Sequence, residues 1–273
     1  MTASATPDQR PARPPKPQAI LSVQAVEEIT PNLIRITAGG EGFDAISNND
    51  ATDKYVKIMF ADPQHGLTPP YDLADLRENV PEKLPRNRTY TVREINEAEK
   101  WVKIDFVVHG DEGIAGPWAK STQVGDQIVL VGAGGKYAPE ADAPWHLLIA
   151  DHTAIPAVSS ALEAMPAEAT GVLLANVEHD EDRLLPELPA GFDVTWVDSD
   201  EALIAAVREL DWPETTPQVF AHGERETIKT IRKVLKDHEV PREALSISAY
   251  WAHGRAEDQF QAEKREPIGK IED

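Results

Sequence analysis

Near residue 140 the spacing of apolar residues changes its period, and that change restricts the chain to a short list of folds. Before it, apolar residues recur in short runs. These are ILSVQAVEEI (20–29), LIRITA (33–38), KYVKIMF (54–60), RTYTVREI (88–95), WVKIDFVVH (101–109) and QIVLVG (127–132). Several alternate with period two and are rich in β-branched and aromatic residues, as half-buried strands are. Gly, Pro, Asn and Asp punctuate the gaps, which places turns there. Six strands at this spacing predict an antiparallel barrel or sandwich. After the 139–144 stretch the texture is different. HLLIA (146–150), GVLLANV (171–177), DVTWV (193–197), QVFA (218–221) and LSISAYW (245–251) read as strands. Between them lie the helical patterns IPAVSSALEAM (155–165), EALIAAVREL (201–210) and ERETIKTIRKVLKDH (224–238). Strands alternating with helices predict a doubly wound parallel sheet. The expected plan is a Pro-rich disordered tail over 1–17, a six-stranded β-barrel domain over 18–140 and an α/β domain over 141–273. The cleft between the two domains is the natural place for chemistry.

Charge and cysteine content narrow the function classes. With 27 Lys plus Arg against 47 Asp plus Glu, the net charge is −20. Such a chain is repelled by nucleic-acid phosphates and by anionic lipid, so neither is expected as a partner. The 273 residues include no cysteine, which excludes thiolate metal sites, cysteine-held iron–sulfur clusters and a cysteine nucleophile. The eight histidines show no metal-binding spacing with a carboxylate partner, so no resident metal is expected. No run reaches the roughly 18 apolar residues of a membrane span, and the first residues lack the apolar segment of a secretory signal. A cytoplasmic monomer is the expectation.

Against that acidic background the string from Arg86 to Arg93, RNRTYTVR, stands out. As a strand it could simply be a cationic edge. Arg88, Tyr90 and Thr91, however, combine an anion-pairing guanidinium, a flat aromatic face and a hydroxyl. Those are the groups needed by an isoalloxazine ring with a phosphate tail. Further on, Gly110, Gly113 and Gly116 precede a helical turn that begins near Trp118. They suit either an ordinary strand-to-helix loop or a backbone that approaches a pyrophosphate.

R-x-Y-T on a barrel strand resembles the flavin motif of the ferredoxin-reductase-like superfamily, and R-x-Y-T-x-R, reaching Arg93, resembles that of the siderophore-interacting protein family. Three more segments are similar to that family: Asp105–Gly110 (DFVVHG), Gly113–Ala119 (GIAGPWA) and Tyr250–Asp258 (YWAHGRAED). The resemblance implies an FAD-dependent ferric-siderophore reductase that draws electrons from NADPH or NADH. Arg88 would pair the FAD phosphates, Tyr90 would stack on the ring and Thr91 would lie near N5. It further implies FAD contacts from Arg93, Asp105, Val107, His109, Gly113, Trp118, Ala119 and Trp251. Lys57 on its strand and Lys136 of the GAGGKY turn (132–137), at the flavin rim, would together receive the ferric siderophore. The segment A-D-H-T-A-I-P (150–156) keeps Asp151, Thr153 and Pro156 of the family's G-D-E-T-A-x-P, which implies cofactor contact from Asp151 and Thr153, while Ala150 and His152 depart from it. Gly223 and Glu224 resemble the family's A-x-G-E, which implies nicotinamide contact. No side chain is expected to act as a general base. Two rival readings remain on the same residues: a flavin reductase component serving a partner protein, and a non-catalytic siderophore or flavin carrier.

Overall fold

The computed structural model describes residues 16–108 and 113–271. Its first half is a closed antiparallel barrel of β1 (Gln18–Thr30), β2 (Leu33–Gly39), β3 (Tyr55–Phe60), β4 (Arg86–Asn96), β5 (Trp101–Val107) and β6 (Gln127–Gly134). The strand order around the barrel is β1-β2-β5-β4-β3-β6. Helix α1 (Leu73–Asn79), capped by the Asp72 carboxylate, lies in the β3–β4 connection, and α2 (Ala115–Ser121) follows β5. Period-two alternation sends Leu21, Val23, Ile36, Val56, Ile58, Ile104 and Leu130 inward, each no more than 1% exposed. A fully buried side chain of this size stabilises the fold by about 1.5–3 kcal/mol relative to its exposed state, so the inward faces of the strands specify the barrel. The register of β4 on β5 shifts between Val92 and Glu94. This bulge re-aims the strand beside Arg93.

The second half is a parallel sheet in the order β11-β10-β7-β8-β9. Its strands are β7 (His146–Asp151), β8 (Thr170–Asn176), β9 (Gly191–Val197), β10 (Gln218–Glu224) and β11 (Leu245–Trp251). Helix α3 (Ile155–Ala164) covers one face, and α4 (Asp200–Arg208) with α5 (Arg225–Asp237) covers the other. That arrangement is the predicted doubly wound sheet. β7 and β10 carry the apolar runs LLIA and VFA and are buried on both faces, as central parallel strands are.

Beyond β11 the chain returns to the barrel through a short helix, α6 (Glu257–Glu263), which touches β4. Ile271 packs against the α/β core, so the last described residues are anchored there. No helix among the described residues is long and apolar enough to cross a membrane. Residues 1–15 of the expected tail over 1–17, and the expected contact from His109, lie outside the described residues.

Candidate functional site

The carboxyl edge of the parallel sheet faces the outer side of the barrel across a cleft of about 750 Å³. Tyr90, Arg93, Asp105, Val107 and Arg35 line the barrel wall; His152, Thr153, Pro156, Glu178 and Trp251 line the sheet wall. In an open α/β sheet this edge is where ligands bind. Tyr90 projects from β4 at the barrel mouth, its ring 4.5 Å from Phe106, and Trp118 of α2 stacks behind at 5.5 Å from Phe106. Burial pushes the Tyr90 phenol well above its ordinary pKa, so the ring offers a neutral aromatic surface.

Arg88, two residues earlier on β4, donates to the Asn87 carbonyl at 2.7 Å and to Asp258 of α6 at 3.2 Å. That single contact to an exposed carboxylate is the weak kind of ion pair, which a phosphate can displace. Thr91 is buried. Gly113 has φ +86° with open space where a Cβ would stand. An aromatic floor, an exchangeable guanidinium and a cleft of this volume are chemistry that fits an FAD.

Other expected contacts are committed to partners within the protein. Arg93 holds Glu163 of α3 in a bidentate pair at 2.6 and 2.7 Å, and its carbonyl accepts from Ser160 at 2.9 Å, so it ties barrel to sheet domain. Asp105 is buried in a bidentate pair with Arg35 at 2.6 and 2.7 Å. Ala119 is 0% exposed within the barrel core, so its methyl packs there and not against the cleft.

At the end of β7, Asp151 uses both oxygens. Oδ1 accepts from the Thr153 amide at 2.9 Å and hydroxyl at 2.5 Å, and Oδ2 accepts from Trp251 Nε1 at 2.6 Å. Asp151 therefore orients Trp251, which is half-buried on the cleft wall and not in the core. Gly223 is required beside it, because a Cβ there would meet Asp151 Oδ2 at 2.8 Å. Glu224 is 2% exposed and caps α5, accepting from the amides of Glu226, Thr227 and His253. Glu224, Asp200 and His253 bring ligand-type atoms within 4.8 Å of one another. His253 Nε2 already lies 2.9 Å from Asp200 Oδ2, and the Glu224 carboxylate is taken up by backbone amides.

The two expected substrate lysines occupy different places. Lys57 is exposed on β3, opposite Thr89, and a second lysine that sequence reasoning missed, Lys264, stands near it. Desolvation, and secondarily the like charge of Lys57, hold the Lys264 amine below the usual lysine range. Its Nζ sits 4.7 Å over the Phe260 ring. Lys136 instead lines a second inter-domain cleft of about 990 Å³ with Tyr55, Arg232 and Ser246. Gly134 gives that turn its close approach, since a Cβ would fall 2.2 Å from the Tyr55 ring. Glu257 of α6, also missed, lines the first cleft, and burial raises its carboxyl pKa. Lys264 and Glu257 sit in a charged C-terminal run with little apolar pattern, so only tertiary placement reveals them.

Residues 22–137 match the model of the siderophore-interacting FAD-binding domain, and residues 143–254 match that of the siderophore-interacting protein. The chain is similar to ferric vibriobactin reductase ViuB of Vibrio cholerae, with 30% identity over 86% of this chain and 90% of that one. It is also similar to the NADPH-dependent ferric-chelate reductase of Escherichia coli, with 26% identity over 85% and 91% of the two chains. A siderophore utilization protein from T. fusca has a similar structure, with TM-score 0.77, 29% identity and coverage of 89% of this chain and 96% of that one.

Proposed function

The chain belongs to the siderophore-interacting protein family, and from that membership and its cleft we propose that it is an FAD-dependent reductase of ferric siderophores, fed by NADPH or NADH. The observation that carries the reading is the pairing of Tyr90 and Trp251 on opposite walls of one cleft. Two aromatic walls of this kind suit a flat ring and a nicotinamide laid against it. Bound FAD supplies the redox chemistry, taking a hydride from the nicotinamide and passing single electrons to chelated Fe(III). The protein supplies binding, orientation and electrostatics. Arg88 exchanges Asp258 for the FAD phosphates, and Tyr90 supports the ring. Thr91 meets the N5 edge. Asp151 holds Trp251 upright, while the Arg93–Glu163 pair keeps the two walls together. Lys57 and Lys264 give an anionic chelate a local cationic landing place in an acidic molecule. Fe(II) then leaves, because oxygen-rich chelators hold it more weakly than Fe(III).

The deciding experiment is anaerobic. Purified protein reconstituted with FAD is given NADPH or NADH and a panel of ferric siderophores, and Fe(II) is trapped with a ferrous chelator. Fe(II) appearing with either donor supports the reading. A protein that takes up no FAD, or whose bound flavin stays oxidised, overturns it. Lys57→Ala and Lys264→Ala should each weaken chelate affinity about tenfold, one lost charge contact of about 1.4 kcal/mol, with FAD retained.

A further inference from the structure

The carboxyl edge of the parallel sheet carries acidic groups that bear on which nicotinamide donor the cleft takes. With the strand order β11-β10-β7-β8-β9, the chain runs outward from β7 to β8 and β9, then crosses back to β10. β8 is therefore the second strand of a doubly wound dinucleotide unit. In that fold the end of the second strand meets the adenosine ribose. A carboxylate there accepts from the 2′-hydroxyl of NADH, whereas an arginine there receives the 2′-phosphate of NADPH.

β8 ends at Asn176, and the next amide, that of Val177, donates to the Val197 carbonyl of β9 at 2.9 Å. Glu178 and Asp198 follow at once, on neighbouring strand ends. Both side chains are exposed, and neither has a hydrogen bond or ion pair among the described residues. Glu178 lines the cleft of Tyr90 and Trp251. The other charged groups at this edge are engaged. Asp182 accepts from Thr30 and from Asn32 Nδ2 of the barrel. Asp180 pairs with Arg183 at 2.5 Å, and Arg183 Nε donates to the Val177 carbonyl at 3.2 Å. Asp200 accepts from Asn176 at 2.9 Å and lies 2.9 Å from His253 Nε2. The carboxylate open to a ribose is thus Glu178, and the guanidinium nearest to it in sequence is already taken.

We propose that Glu178, reinforced by Asp198, makes this chain select NADH over NADPH. The Glu178 carboxylate accepts from the adenosine ribose hydroxyls of NADH. A 2′-phosphate carries nearly two negative charges at neutral pH, and both carboxylates repel it. The inference rests on the reading of the cleft as a nicotinamide-donor site, and narrows it to one donor. Neither residue touches the reacting atoms, and the two donors carry the same nicotinamide. The preference should therefore lie in donor affinity and not in the limiting rate of flavin reduction.

The net charge of −20 disfavours the more anionic donor from every direction, so the test needs a charge control. Glu214 serves, being exposed in the α4–β10 connection, at the opposite edge of the sheet. Full-length protein reconstituted with FAD is reduced anaerobically in a stopped-flow instrument by NADH or NADPH at fixed ionic strength. In the wild type, NADH should have an apparent dissociation constant about tenfold below that of NADPH, the size of one charge contact, with similar limiting rates. Glu178→Gln should tighten NADPH, and Glu178→Lys should reverse the preference. Glu214→Lys, with the same change of charge, should leave the ratio as it is. Calorimetry of NAD+ and NADP+ with the flavin-free proteins should give the same order without turnover. A wild type that prefers NADPH, or equal shifts in Glu178→Lys and Glu214→Lys, overturns the proposal while the reductase reading stands. So does a difference confined to the limiting rate. Flavin left oxidised by both donors overturns the proposed function, and this inference with it.

Discussion

His222 lies in β10, 3% exposed, and a histidine so enclosed makes stability depend on pH in one direction. Its folded pKa is about 3, against roughly 6.5 for an unfolded histidine. Above about pH 6.5 both states are neutral at this site, and it adds no slope. Between the two values the unfolded chain binds the extra proton, so its share of stability is lost progressively as pH falls. The slope is on the order of 1 kcal/mol per pH unit. Urea midpoints at neutral and mildly acid pH should therefore fall more steeply for the wild type than for His222→Gln, which has nothing to titrate there. Equal slopes would mean that the imidazole is not held neutral. The sequence betrayed none of this. His222 in QVFAHGE looks like an ordinary strand-to-helix residue, because its partners Tyr250 Oη and Ser246 Oγ, each 3.0 Å from a ring nitrogen, come from another strand. Arg88, Tyr90 and Thr91 were legible because three ligand-type groups stand in adjacent positions of one strand.

Elements were easier to read than side-chain partnerships where apolar periodicity is long. β7, β10 and α5 announced themselves, since burial on both faces or along one stripe leaves a regular trace. α6 did not: EDQFQAE has only Phe260 as an apolar anchor, and it is held largely by tertiary ion pairs such as Arg225–Glu263 at 2.5 Å. Glu224 shows how a motif residue can be legible in place but not in role. The family likeness implied nicotinamide contact, whereas its carboxylate caps α5 at 2.6 and 2.9 Å and also receives the His253 amide at 3.1 Å. Glu224→Ala should cost about 1–3 kcal/mol of stability, from the lost cap and the stranded amide. Thermal denaturation measures that cost. If the substitution left stability intact but raised KM for the nicotinamide donor, the carboxylate would be a ligand contact instead of a cap.

At the scale of the whole molecule, a chain of net charge −20 must receive a substrate that is itself often anionic. Long-range repulsion and the local attraction of Lys57 and Lys264 then oppose each other over different distances. Salt separates them. The Debye length falls from about 30 Å at 0.01 M to about 8 Å at 0.15 M, which erases the global field first and leaves contact-range pairs the least affected. Association of an anionic ferric chelate should therefore speed up as ionic strength rises through this range, while a neutral ferric chelate should show little change. Stopped-flow reoxidation of the reduced protein at several salt concentrations measures both. In Lys57→Ala the anionic chelate should react more slowly at every salt concentration yet keep the same upward trend, because the trend belongs to the net charge and the offset to the lysine. A rate that falls with salt would show that the cationic landing site, and not the acidic envelope, governs approach.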